Sequence, residues 1–271
     1  MLLNRPVKMS NRMSIYVCSE LLSFFVVKIL PYIKNTFILV SGDSDLTAPI
    51  ECLSNTQIST LLNNTYLIKW FAQNTRIQNV NKIYQLPIGL DYHTILQSPS
   101  HPWNGGDGNN GGDIANYLPR QQESVLMDIR QNMKPFYERV SKIYVNFSLA
   151  NDRFNSRKTA LTQIPSHLMV MSMSFTKRVD IWKNMCNYTF VLSPFGNGLD
   201  CHRTWEALCL GCIPIVSASF FTKMFEDLPV LIVNDWTVIT QELLDKTVID
   251  FKNRTFNYDK LSRQYWISQL L

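Results

Sequence analysis

Between Tyr188 and Val216 the chain passes through an apolar stretch, a loop with two glycines, a polar helical segment and a second apolar stretch. Few folds accept that succession. Tyr188 to Leu192 (YTFVL) has the length and the β-branched or aromatic content of a buried strand, and Ser193-Pro194 stops it. Ile213 to Val216 reads as the next strand, so the segment between them is the crossover of a βαβ unit in a parallel sheet. Gly196 and Gly198 flank Asn197 in the turn, where chain without Cβ atoms lets a ligand approach and turns amide N–H groups toward it. A helix starting near Asp200 or Cys201 directs its positive end at that turn. Arg203 and Glu206 are three residues apart and share one face. A guanidinium grips phosphate oxygens as a fork, and a carboxylate accepts hydrogen bonds from a ribose diol, so the pair suggests a nucleoside diphosphate. The competing reading is a tight turn followed by a solvated ion pair. G-x-x-x-x-G-K-[ST] does not occur, and the literal G-x-G-x-x-G at Gly106 to Gly111 sits inside a glycine- and asparagine-rich stretch with no strand-like run directly before it, which sets aside the P-loop enzymes and the ordinary dinucleotide enzymes by motif.

Strand-like and helix-like stretches alternate elsewhere too, which favours an α/β fold. Ile15 to Ile33 reads as a core helix ahead of a strand at Asn35 to Val40. Tyr66 to Phe71 and Ile83 to Pro87 read as further strands, and Pro119 to Val140 as a helix despite Pro135. Lys142 to Phe147 is the expected first strand of a second domain, followed by a polar loop, Ser148 to Arg157, that carries Arg153 and Arg157 at a strand's carboxyl end. Helices are expected at Val179 to Asn187 and Trp236 to Leu244, and a strand at Val230 to Val233. His101 to Asp113 is rich in glycine and asparagine and reads as a surface loop.

The stretch FVLSPFGNGLDCHRTWEALCLGCIPIV resembles the signature of exostosin-like glycosyltransferases, closest to the small chlorella-virus type, which are xylosyltransferase-like. Further echoes run in order through FILVSGDSDLTAP at Phe37 to Pro49, IKWFAQN at Ile68 to Asn74 and LPIGLDYHT at Leu86 to Thr94. The resemblance implies a GT-B architecture of two Rossmann-like domains facing across a cleft. The acceptor would lie on residues 1–138, the nucleotide sugar on residues 139–250, and residues 251–271 would form a terminal helix returning to the first domain. It also implies inversion at the anomeric carbon with no cofactor and no required metal. By position, Arg203 would meet the diphosphate and Glu206 the ribose, with Gly196, Asn197 and Gly198 shaping the phosphate pocket. Phe195 departs from the pattern, since relatives often carry arginine there, and Arg153 or Arg157 would supply that contact. The donor implied is a UDP-sugar, first UDP-xylose, and the acceptor a sugar of an oligosaccharide or glycoprotein glycan such as fucose.

Inverting transfer needs a base for the acceptor hydroxyl. Asp45 and Asp43, on the loop after the strand at Phe37, come first, and Asp91 and His93 of PIGLDYHT come next. Turn and cap chemistry is the competing role for Asp43 and Asp45. His202, beside Arg203, is placed to touch diphosphate or sugar. Asp43-Ser44-Asp45 matches D-x-D literally, but it precedes the donor motif, which argues against a metal-dependent enzyme of the other glycosyltransferase architecture. A catalytically inactive nucleotide-sugar- or glycan-binding subunit of a glycosylation complex is the alternative function.

The chain has 271 residues, 46% of them hydrophobic, enough for two small cores. A net charge of +5 without a Lys/Arg run gives no reason to expect nucleic acid as a partner. Six cysteines include one C-x-x-C, Cys209 and Cys212, with no second pair, so buried thiols are expected in place of zinc. The most apolar early segment contains Glu20, Lys28 and Pro31 and fits a membrane span poorly, so a cytoplasmic enzyme is expected.

Overall fold

The computed structural model describes residues 13–76, 81–105, 118–172 and 177–270. Residues 106–113 of the glycine-rich loop lie outside that set. The chain divides into two compact units, Met1–Ile88 with Ile267–Leu271, and Gly89–Trp266.

In the first unit, four parallel strands, β1 (Met13–Cys18), β2 (Phe37–Gly42), β3 (Leu67–Ala72) and β4 (Ile83–Gln85), pair in chain order. The expected helix over Ile15 to Ile33 is corrected here. Its first residues form β1, with Met13 opposite Phe37 and Cys18 opposite Gly42. Helical turns begin only at Ser19 and run to Tyr32, containing α1 (Leu22–Phe24). Leu22, Phe25, Val26 and Leu30 share the helix spacing and are all buried, packed against Phe37, Leu39, Leu67 and Trp70. The Trp70 indole N–H is satisfied in this core by Ser41 Oγ at 2.8 Å. α2 (Asn55–Leu62) starts on a capping box, in which Ser54 Oγ accepts from the Gln57 N–H and Gln57 Oε1 accepts from the Ser54 N–H.

The second unit begins with α3 (His93–Gln97) and α4 (Pro119–Asn132). α4 ends at Asn132, short of the expected Val140, because a helix rarely continues into a proline and Pro135 lies three residues on. The sheet is built from β5 (Val140–Val145), β6 (Met169–Met171), β7 (Tyr188–Leu192), β8 (Ile213–Ser217) and β9 (Leu231–Val233), all parallel, in the order β6-β5-β7-β8-β9. Between them lie α5 (Ser156–Gln163), α6 (Arg178–Met185) and α7 (His202–Cys209). α8 (Gln241–Lys252) and α9 (Arg263–Leu270) follow. Side chains alternate across the sheet. Ile143, Val145, Phe190 and Leu192 meet Ala160 of α5, Ile164 just beyond its end and Leu244 of α8 on one face. Tyr144 and Val191 meet Leu126 of α4, Trp182 and Met185 of α6 and Ala207 of α7 on the other. Burial on both faces explains the near-continuous apolar runs of β7 and β8.

The fold is therefore α/β with two parallel sheets. The sequence boundary at 138/139 separates the two sheets, whereas the compact units part at Ile88/Gly89. Leu126 of α4 packs into the core of the second sheet, which is why the segment before β5 groups with it. The terminal residues Ile267–Leu271 group with the first unit. No helix among the described residues is long and apolar enough to cross a membrane.

Candidate functional site

Strand order in the second sheet reverses between β5 and β7, because β6 lies outside β5 while the later strands continue outward from β7. Loops leaving the carboxyl ends of β5 and β7 diverge at such a switch point, and open α/β sheets bind ligands there. The segments that follow both strands carry arginines that the sequence singled out, Arg153 and Arg157 after β5 and Arg203 after β7.

Arg157 stands on the first turn of α5, which Asp152 holds by accepting the Arg157 and Lys158 N–H groups at 3.0 and 2.9 Å. Its Nη1 donates to the Ser148 carbonyl at 2.6 Å. Arg203, on α7, donates from Nε to the Asn146 carbonyl at 2.7 Å. Both guanidiniums pack on the Phe147 ring, at 5.5 and 5.1 Å from its centroid. Burial, with the like charge of Arg157 adding to it, pulls Arg203 down to about 10, which still leaves it charged at neutral pH. Arg157 Nε and Arg203 Nη1 are buried and have no protein partner. Two desolvated cations with donors to spare can take up a dianionic group.

The β7–α7 loop closes around this pair. Gly196 leaves space that Arg157 fills, since a Cβ there would sit 2.5 Å from Arg157 Nη2 and 3.3 Å from its Cζ. Neither Gly196 nor Gly198 has a left-handed backbone. The Gly196 N–H donates to the Gly198 carbonyl at 3.1 Å, so that amide is not turned toward a ligand as the sequence suggested. Asn197 is half-buried. Asp200 is buried and fixes the entry to α7, accepting the Trp205 indole N–H on both oxygens at 2.9 Å and the Cys201 N–H at 2.9 Å. No side chain caps α7. Phe195 packs edge-on against Phe154 at 6.1 Å. Arg153 is exposed, with its guanidinium over the Phe154 ring.

A second cluster adjoins α7. His202 and Glu206, one turn apart, face residues that come from distant parts of the chain. His202 Nδ1 lies 2.8 Å from the Gly89 carbonyl, and its ring is 5.8 Å from that of His93. His93 Nδ1 is 3.1 Å from Asp91 Oδ1. Asp91 is buried and also accepts the Thr94 N–H and hydroxyl at 2.9 and 2.7 Å. Burial alone would push the Asp91 carboxyl up, but the Thr94 N–H and the Arg178 charge outweigh it and hold the group below its ordinary value.

Arg178 is the residue that sequence reasoning missed. Only 4% exposed, it donates from Nη1 to the Asp91 carbonyl and, at 3.0 Å, to Gln122 Oε1. Its Nη2 is 3.3 Å from Asp91 Oδ2 and its Nε 3.5 Å from Glu206 Oε1. The guanidinium lies over Trp103 at 4.5 Å and Trp182 at 5.5 Å. The structure thus gives Glu206 an ion pair with Arg178, and brings His93 to His202.

Asp43 and Asp45 lie in the first unit, exposed on the loop after β2. Asp43 has a left-handed backbone (φ 58°), and its N–H donates to Gln73 Oε1 at 2.9 Å. The expected buried thiols are present. All six cysteines are free, and burial pushes Cys209 up to about 11 and Cys212 up to about 12.

No protein-family description matches the chain, and no curated protein does. Among solved structures, an alpha1,3-fucosyltransferase is similar over 99% of this chain and 91% of its own, at 10% identity and a TM-score of 0.41. A second, alpha1,3-fucosyltransferase with GDP-fucose, is similar over 99% and 84%, with the same identity and TM-score. A likeness of that size carries no argument.

Proposed function

We propose that the chain is a nucleotide-sugar-dependent glycosyltransferase of the exostosin-like, chlorella-virus type, acting in the cytoplasm. The observation that carries the reading is the pair of buried guanidiniums, Arg157 and Arg203, each with an unpartnered N–H, at the switch point of a parallel sheet. There the pair binds the donor diphosphate and stabilises it as it leaves, work for which no metal on the diphosphate is needed. Glu206, oriented by Arg178, offers its other oxygen to the ribose.

Transfer inverts the anomeric carbon. A base takes the acceptor hydroxyl proton as that oxygen bonds to C1, and the bond from C1 to the diphosphate breaks with its electron pair leaving on the nucleotide. The base candidates are Asp45, with Asp43 beside it, and His93, which Asp91 orients. The first donor to try is UDP-xylose and the first acceptor a fucose-bearing glycan.

A panel of UDP- and GDP-sugars, incubated with the full chain and simple glycans and read by mass spectrometry, tests this. Release of nucleoside diphosphate with a matching mass gain on the acceptor is expected. Binding without transfer would assign the chain to non-catalytic subunits instead, and no interaction with any nucleotide sugar would overturn the reading altogether.

A further inference from the structure

We infer that Asp91, His93 and His202 form a binding site for one divalent transition-metal ion, an inference that goes beyond the proposed transfer reaction. One ligand atom from each of the three lies within 4.8 Å of those of the other two. The separation of His93 Nδ1 and Asp91 Oδ1, 3.1 Å, is close to the roughly 3.3 Å between neighbouring ligands of a tetrahedral ion with bonds of about 2.0 Å. His93 is 55% exposed and can swing to close the remaining gap, whereas Asp91 is held.

The surroundings are those of a ligand set. With Nδ1 of His202 donating to the Gly89 carbonyl, its proton is fixed there and Nε2 keeps the lone pair, the arrangement that orients metal-binding imidazoles. Asp91 is oriented in the same way, through Thr94 and Arg178. Two imidazoles and one carboxylate select zinc, cobalt, iron or nickel over magnesium or calcium, which prefer oxygen throughout. Three protein ligands leave a position open to water or to a substrate oxygen. A metal on His93 Nδ1 removes that residue from the base candidates and leaves Asp45 and Asp43.

The test uses the full chain, stripped with a chelator and titrated with Co²⁺ by visible absorption and with Zn²⁺ by calorimetry. One equivalent is expected to bind at micromolar concentration or below, with the d–d bands of a low-coordinate nitrogen and oxygen site. His93→Ala and His202→Ala should each weaken binding at least tenfold, and the double variant should abolish it. His93→Gln, at a half-exposed position, should do the same with an unchanged melting curve, which separates lost ligation from lost folding. No Co²⁺ bands at millimolar metal would overturn the inference. So would binding that survives the double variant, which would place the ion elsewhere. Nucleoside diphosphate binding to the stripped chain is read in parallel. If it persists while metal fails to bind, only the metal site falls, and in the reverse case only the transferase reading does.

Discussion

Replacing Arg178 with methionine removes a guanidinium in contact with both Asp91 and Glu206 while keeping much of the side-chain volume between Trp103 and Trp182. Breaking a buried ion pair by deleting one partner costs about 3–5 kcal/mol, because the other charge stays buried and uncompensated. The loss falls unevenly here. Asp91 keeps two bonds from Thr94, whereas Glu206, 12% exposed at its side chain, loses its ion pair, and Gln122 Oε1 loses a donor. Contact of the thioether with the indoles recovers part of the packing. The lower end, about 3 kcal/mol, is therefore expected, which for a unit of this size lowers the melting temperature by roughly 6–12 °C. Circular dichroism melts and urea titrations measure it. Adding Glu206→Gln to Arg178→Met should restore stability relative to Arg178→Met alone, with a coupling of about 1–3 kcal/mol between the sites. A variant within about 1 kcal/mol of the parent, or strictly additive effects, would refute the claim that this guanidinium is held by two carboxylates.

Gly196→Ala places a methyl group against Arg157, whose Nη1 is already committed to Ser148. Loss of nucleoside diphosphate affinity by tenfold or more is expected in calorimetry, and unchanged affinity would show that Arg157 moves without consequence. Asp200→Asn should cost about 1–3 kcal/mol in a denaturant titration, since the Trp205 indole N–H and the Cys201 N–H share that carboxylate. Cys209 and Cys212, with thiols pushed up to about 11 and about 12, should resist iodoacetamide at pH 8 in the native chain and react fully in denaturant, as peptide mass spectrometry will report. Asp45→Asn should reduce turnover with donor affinity unchanged if Asp45 is the base, and unchanged turnover would remove it.

The parallel sheets were legible because their buried strands are short apolar runs ended by Ser-Pro, Ser-Gly or Gly, as at β2 and β7. β1 was not, since no breaker separates it from the apolar helical turns that follow, and the whole stretch reads as one helix. α5 escaped notice for the opposite reason. Its sequence, SRKTALTQ, is too polar to show a period, and only Ser156, Arg157 and Ala160 are buried. At the candidate site, Arg203 and the Gly196 loop could be found because they belong to one contiguous motif. Arg178 could not. Its local context, KRVDIWKN, is that of a solvated helix end, and the partners that make it a buried hub, Asp91, Gln122 and Glu206, come from other parts of the chain. The grouping of His93 with His202 was hidden in the same way.

The central claim is that Arg157 and Arg203 form a diphosphate site. Calorimetric titration of UDP and GDP into the full chain, and into Arg157→Gln, Arg203→Gln and the double variant, tests it most directly. The account predicts saturable binding by the parent chain, a loss of about 1.5–3 kcal/mol, or roughly ten- to hundredfold or more, for each single change, and no binding by the double variant, whose melting curves should show that it is still folded. Undiminished binding by the folded double variant would contradict it.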